Sequence, residues 1–184
     1  MGKNRTPRTF EIALSGICCA VAAGALALGL LSGYLTATGY LIGIVALMVP
    51  LSKQLYRGAF LAYVGTVILA IVLGAAVRFW DLVPFAMFFG IHPLVNALQL
   101  KYRINKWLAY AVKALWFDGT LIAAYFLIYV VGGIVLPEPV AAFIAGWRLY
   151  VIIFTAGTAV FFLYDYLIFS LQTGVNKLVY RIKK

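Results

Sequence analysis

Five side chains in this sequence combine reactive chemistry with an apolar setting: His92, Asn96, Lys113, Asp118 and Asp165 all fall in or at the edge of long hydrophobic runs. In hydrocarbon an ionisable or amide side chain is costly, so each of them needs a partner or a task. His92 and Asn96 are four positions apart and share one face of a helix. His92 is about ten residues from the outer end of its run and Asp118 about eleven from the inner end of the next, at about 1.5 Å per residue, so both belong near the middle of an apolar layer about 30 Å thick. Gly90 and Pro93 flank the histidine, and a proline inside a helix frees a backbone carbonyl and bends the axis. A carboxylate and an imidazole at that depth suit ligand binding or proton relay, as Asp118 with His92. They suit equally a packing role, bonded to each other and to the opened backbone. Lys113 and Asp165 each lie about six residues inside their runs from the same side, so their depths match and an interhelical salt bridge is expected; otherwise Lys113 snorkels to the interface.

The elements that must carry these residues follow from composition. The chain is 65% hydrophobic and only 11% charged, with a mean hydropathy of +1.03, too apolar for a soluble domain that covers its surface with charge. Residues 10–50 are apolar almost throughout, which as one helix would span about 60 Å, twice the hydrocarbon thickness, so the chain turns near Leu31-Ser32-Gly33-Tyr34. The pattern predicts an all-α membrane protein of six transmembrane helices, at about 10–31, 34–51, 58–77, 82–100, 107–135 and 149–171, forming one integral domain over 1–184. Arg78-Phe79-Trp80-Asp81 ends the third helix and Pro137-Glu138-Pro139 the fifth. Within 136–148, the apolar stretch Val140 to Trp147 reads as a short interfacial helix. At the end, Val175, Leu178, Val179 and Ile182 recur at helical spacing among basic residues, predicting an amphipathic tail over 172–184 along the membrane surface.

Charge sets the orientation. Of fifteen basic residues, twelve fall in four clusters: Lys3, Arg5 and Arg8; Lys53 and Arg57; Lys101, Arg103 and Lys106; and Lys177, Arg181, Lys183 and Lys184. The intervening breaks carry only Arg78 and Arg148. Retention of Lys and Arg on the cytoplasmic side places both termini there. The net charge of +10 is therefore explained by attraction to anionic lipid heads at the membrane edges, and a nucleic-acid partner is not expected.

Catalysis has little support. One histidine, five acidic residues, no nucleophile beside a base, no phosphate-binding Gly-Lys loop and no metal-ligand spacing argue against an enzyme, a metal site or a cofactor. Cys18 and Cys19, adjacent in an apolar run, read as small packing residues. The basic start and long first run resemble neither a signal peptide nor a lipoprotein leader, and the myristoylation-like Met1-Gly2-Lys3-Asn4-Arg5-Thr6 is short in a chain already held by its helices. The first helix carries Ser15, Cys19, Ala23 and Ala27 at four-residue steps, with Gly16, Ala20 and Gly24 in an adjacent row. Such rows let a second helix approach closely, either from the same chain or from another protein.

Six helices, both ends inside and a small-residue first helix resemble the substrate-binding S components of energy-coupling factor (ECF) transporters. Phe88-Phe89-Gly90-Ile91-His92-Pro93, then Trp107, and Lys113-Ala114-Leu115-Trp116-Phe117-Asp118 resemble, over about residues 80–125, a family of uncharacterised six-helix bacterial proteins grouped near them. That family shows a Phe-Gly-Tyr-Tyr-Pro-like stretch, a lysine three residues on, and Lys-x-x-x-Phe-Asn. Here the tyrosines are Ile91 and His92, the lysine is Asn96 and the final asparagine is Asp118. The resemblance implies a bacterial plasma-membrane subunit that captures a small nutrient from outside, with a coupling subunit and ATPase subunits as partners. It implies that the coupling subunit docks on Ala23 and Ala27, and that ligand-binding positions in the outer half include Trp80, Asp81 and the 136–148 segment beside His92, Asn96 and Asp118. An accessory membrane subunit without a ligand is the competing reading.

Orientation is directly testable. In a background lacking Cys18 and Cys19, a single cysteine at Asn105 is expected to stay unlabelled by a membrane-impermeant reagent applied to intact cells; labelling there overturns the assignment.

Overall fold

A computed structural model describes residues 8–133, 138 and 146–181. It is helical, with no strand among the described residues. The elements are α1 (Arg8–Ser32), α2 (Thr36–Ser52), α3 (Tyr56–Val72), a 3-10 turn (Ala75–Arg78), α4 (Phe79–Pro84), a π-helical turn (Phe85–Phe89), α5 (His92–Lys101), α6 (Lys106–Tyr125), a second π turn (Phe126–Val131), α7 (Trp147–Ile152), a third π turn (Ile153–Gly157) and α8 (Thr158–Arg181). Four runs are long and apolar enough to cross a membrane: Arg8–Ser32, Ala75–Lys101, Lys106–Tyr129 and Leu149–Arg181. The apolar helices α2 and α3 have 17 residues each, about 26 Å against a hydrocarbon layer of about 30 Å. The chain divides into two compact units, 1–98 with 169–184, and 99–168.

In the first unit α1 is the central helix, flanked by α2 and α3. It ends because Gly33 adopts φ +72°, a conformation open to glycine, while Ser32 Oγ donates to Gly29 O and accepts from Leu35 N–H. The α1–α2 pair is in near backbone contact: a Cβ placed on Gly39 would stand 2.7 Å from Ala25 O, and one on Gly29 2.9 Å from Gly39 Cα. Against α3, Thr66 Oγ1 donates to Cys19 O at 3.4 Å, and Gly65 leaves room for Cys19 Sγ. Both cysteines are buried thiols. Glu11, in the first turn of α1, accepts the Gly58 N–H at 3.1 Å and so caps the start of α3, where a negative charge is favoured.

The third helix stops earlier than its sequence suggests. Leu73-Gly74, with Gly74 at φ +110°, turns the chain after Val72, whereas the sequence reading carried this helix to Val77. Arg78 does not mark a free loop. Its Nη1 donates to Leu30 O at 3.4 Å, placing a cation on the C-terminal carbonyls of α1, and it pairs with Asp81 at 3.7 Å. The following run then begins at Ala75 rather than near 82. At the other end, α8 continues unbroken to Arg181, with no separation between a sixth helix and a tail at 172. Val175 is buried there and Leu178 exposed, and Gln172 Nε2 donates to Met48 O and to Asn176 Oδ1. Most of 136–148, including the interfacial-helix stretch from Val140, lies outside the described residues; Trp147 opens α7 and is exposed.

The α1–α2 contact generates a prediction. Gly39→Leu forces two backbones apart and should destabilise the fold by about 1–3 kcal/mol, whereas Gly24→Ala, where a Cβ meets nothing within 4 Å, should be neutral or slightly stabilising. Thermal unfolding in detergent distinguishes the two; equal midpoints would refute the close approach.

Candidate functional site

The polar residues singled out in the sequence separate into the two units. In the first, His92 opens α5 just after the π turn Phe85–Phe89 and the Gly90-Ile91 turn. It is fully buried, its ring 4.8 Å from that of Phe88, and Asn96 is buried one turn further on. The irregular backbone ahead of His92 has local causes. Pro84 supplies no N–H, and the widened turn that follows pairs Gly90 N–H with Phe85 O. Side chains from neighbouring helices supply donors to this stretch: Tyr40 O–H on α2 donates to Asp81 O, and Tyr63 O–H on α3 donates to Ala86 O. Gly90 permits the packing, since a Cβ there would stand 2.6 Å from the Phe85 ring and 2.9 Å from that of Tyr63. Trp80 is half-buried with its ring against Phe79, and Asp81 is half-buried in its pair with Arg78. Further along α5, Gln99 is buried, and its Oε1 has no hydrogen-bond partner among the described residues.

The second unit holds two buried carboxylates with different surroundings. Asp165, on α8, accepts from Lys113 Nζ on α6 at 2.7 Å, both side chains being almost inaccessible. The ammonium also lies 5.1 Å from the centre of the Tyr110 ring. Phe117 packs on Phe161 and Tyr110 on Phe162 around this pair. Asp118, on the same helix as Lys113, is 1% exposed. Its Oδ2 accepts from Thr158 Oγ1 at 2.8 Å, while its Oδ1 has no hydrogen-bond partner among the described residues. Gly157 makes room for that oxygen: a Cβ on Gly157 would stand 2.8 Å from Oδ1. Gly157 closes the π turn Ile153–Gly157, so a widened helical turn faces the carboxylate. Such turns recur at functional sites because they re-aim backbone and side chains.

Sequence reasoning had named Asp118 but neither of its neighbours. The signal was present as Gly157-Thr158, a small residue and a hydroxyl in the middle of an apolar run. Asp118 and His92, for which the sequence left a shared ligand or relay site and a packing contact equally open, belong to different units. On α1, Ala23 and Ala27 are buried, and Ser15 and Cys19 of the same row lie against α3. The neighbouring row differs: Gly16 and Ala20 are exposed, and among the described residues neither Gly16 nor Gly24 has a heavy atom within 4 Å of a Cβ placed there. Among the described residues, no three His, Cys, Asp or Glu side chains are grouped as metal ligands.

Lys113→Ala removes the cation that compensates the buried Asp165 carboxylate and should destabilise the protein by about 3–5 kcal/mol, whereas Lys113→Met with Asp165→Leu should recover most of that loss. Unfolding midpoints of the two single variants and the double variant measure the coupling; additive losses would show that the pair is not a unit. Comparison with models of known protein families, with curated proteins and with solved structures finds no match to this chain.

Proposed function

We propose that this chain is a solute-binding membrane subunit of the S-component type, capturing a small polar nutrient from outside for ATP-driven uptake. On this reading it resides in a bacterial plasma membrane with six spans and both termini cytoplasmic, and works with a coupling subunit and ATPase subunits. The observation that carries it is Asp118: a carboxylate 1% exposed, held by one hydroxyl and with Oδ1 left as an acceptor against a glycine in a π turn. A buried acceptor oxygen with spare capacity suits a ligand that brings a donor, an ammonium or a hydroxyl group. The alternating basic clusters and the resemblance of residues 80–125 support the membrane setting and the transport class.

A second reading, an accessory subunit with no ligand, is favoured by one specific observation. The Ala23 and Ala27 row, which the S-component resemblance would offer to a coupling subunit, is buried. A partner would then have to use the exposed Gly16 and Ala20 row instead.

Native mass spectrometry of the gently purified protein tests the choice. A bound small molecule carrying a donor group is expected, and Asp118→Ala should weaken its retention by about tenfold or more, the loss of one good hydrogen bond to a charged group. Asp118→Asn, which keeps an acceptor oxygen, should weaken it less. Absence of any bound molecule, with Asp118→Ala lowering only thermal stability, would favour the accessory subunit.

A further inference from the structure

A groove of about 650 Å³ opens between the first turns of α1 and α3 in the first unit. Its polar lining is Arg8, Glu11 and Ser15 from α1 and Arg57 from α3, and its apolar walls include Ile12 and Leu61. The volume is that of a site for a molecule of some size, larger than a bare inorganic anion needs. Both arginines are exposed at the mouth, and neither forms an ion pair among the described residues. Glu11 is already engaged, since its Oε1 accepts the Gly58 N–H. Two guanidiniums against one carboxylate leave a single net positive charge. Deeper in, Ser15 is 7% exposed and its Oγ has no hydrogen-bond partner among the described residues. Ile12 and Leu61 are both exposed, as side chains facing lipid tails would be.

We propose that this groove binds the headgroup of one anionic glycerophospholipid. The phosphodiester sits between the Arg8 and Arg57 guanidiniums, whose planar forks match phosphate oxygens. Ser15 Oγ donates to an oxygen of the phosphate or of the glycerol ester, and the acyl chains leave past Ile12 and Leu61. The single excess positive charge matches the single negative charge of a phosphodiester. Gly16 also lines the groove, and a Cβ there would meet no described atom within 4 Å, so a larger side chain at this position has open space to occupy. The charge pattern along the sequence accounts for general attraction to anionic membranes; this site adds a stoichiometric lipid at a defined place.

The test uses the full chain in detergent, titrated with phosphatidylglycerol and read by native mass spectrometry. One tightly retained phosphatidylglycerol is expected. Arg8→Gln with Arg57→Gln should reduce its retention by about tenfold or more, the effect of losing charge-assisted hydrogen bonds. Gly16→Leu, which fills the groove from an exposed face, should reduce it comparably with the thermal midpoint unchanged. Lys53→Gln, a basic residue outside the groove, should leave retention as it is. Equal loss from Lys53→Gln would reduce the effect to general surface charge and overturn the site. So would wild-type retention in the arginine and Gly16 variants. Displacement of the lipid by inorganic phosphate at millimolar concentration would identify a soluble phosphate as the occupant and overturn the lipid assignment.

Discussion

A carbonyl or carboxylate inside an apolar layer has no water to turn to, and much of this structure follows from meeting that requirement with side chains of neighbouring helices. The run Ala75–Lys101 is irregular, with Pro84 in α4, a π turn after it and a further turn at Gly90-Ile91. Each departure from the regular helix releases or redirects backbone groups. Tyr40 and Tyr63 answer two of them from α2 and α3, at Asp81 O and Ala86 O. The same requirement governs the ends of helices: Arg78 donates to Leu30 O near the end of α1, and Glu11 accepts the Gly58 N–H at the start of α3. The first unit is thus held both by its apolar packing and by hydrogen bonds that cross from one helix to the next.

The helical type of the elements could be read from hydropathy, because runs of helix length in so apolar a chain leave few alternatives, whereas four runs, not six, are long and apolar enough to cross a membrane among the described residues. The Lys113–Asp165 contact could be read as well, from equal depth, since a lysine and an aspartate at one level of two helices have little else to do. The boundary between the third and fourth helices could not. Arg78-Phe79-Trp80-Asp81 has the look of a polar break, while the turn is made by one glycine four residues earlier, and Arg78 is recruited to the end of α1. Local composition does not carry that information, because the use of Arg78 depends on a residue 48 positions away. The π turns were equally out of reach: Phe85–Phe89, Phe126–Val131 and Ile153–Gly157 lie inside apolar runs whose composition does not separate a widened turn from the α-helix around it. The site residues show the same division. Charged members are marked by their cost in hydrocarbon, whereas Thr158 carries a modest hydroxyl whose role depends on the bond it makes to Asp118, 40 positions away.

The first helix illustrates how one sequence signal can have two outcomes on adjacent faces. Ser15, Cys19, Ala23 and Ala27 form a row of small residues that is buried, at Ser15 and Cys19 against α3. Gly16, Ala20 and Gly24 form another at the same spacing, and no described atom comes within 4 Å of a Cβ placed on Gly16 or Gly24. Small residues permit close approach without supplying a partner, so spacing alone could not distinguish the two rows. What distinguishes them is the position of α3, whose start is drawn to α1 by the Glu11 cap and whose Gly58 and Gly65 accommodate Ser15 and Cys19.

The contrast between Asp165 and Asp118 bears most directly on function. Both are buried on helices of the second unit, so both have lost their hydration. Asp165 is met by a full positive charge at 2.7 Å, with an aromatic ring beside that charge. This arrangement compensates the carboxylate within the fold and explains a structural pair without invoking any ligand. Among the described residues Asp118 is met by one neutral hydroxyl on one oxygen, with its other oxygen over Gly157. A protein that needed only a packing contact at that depth would lose nothing by using an apolar residue there. The glycine lets the helix of Thr158 pack closely on the carboxylate, which keeps acceptor capacity on Oδ1. The two buried aspartates thus differ in how far the fold itself satisfies them, Asp165 by a cation and Asp118, among the described residues, by one neutral hydroxyl.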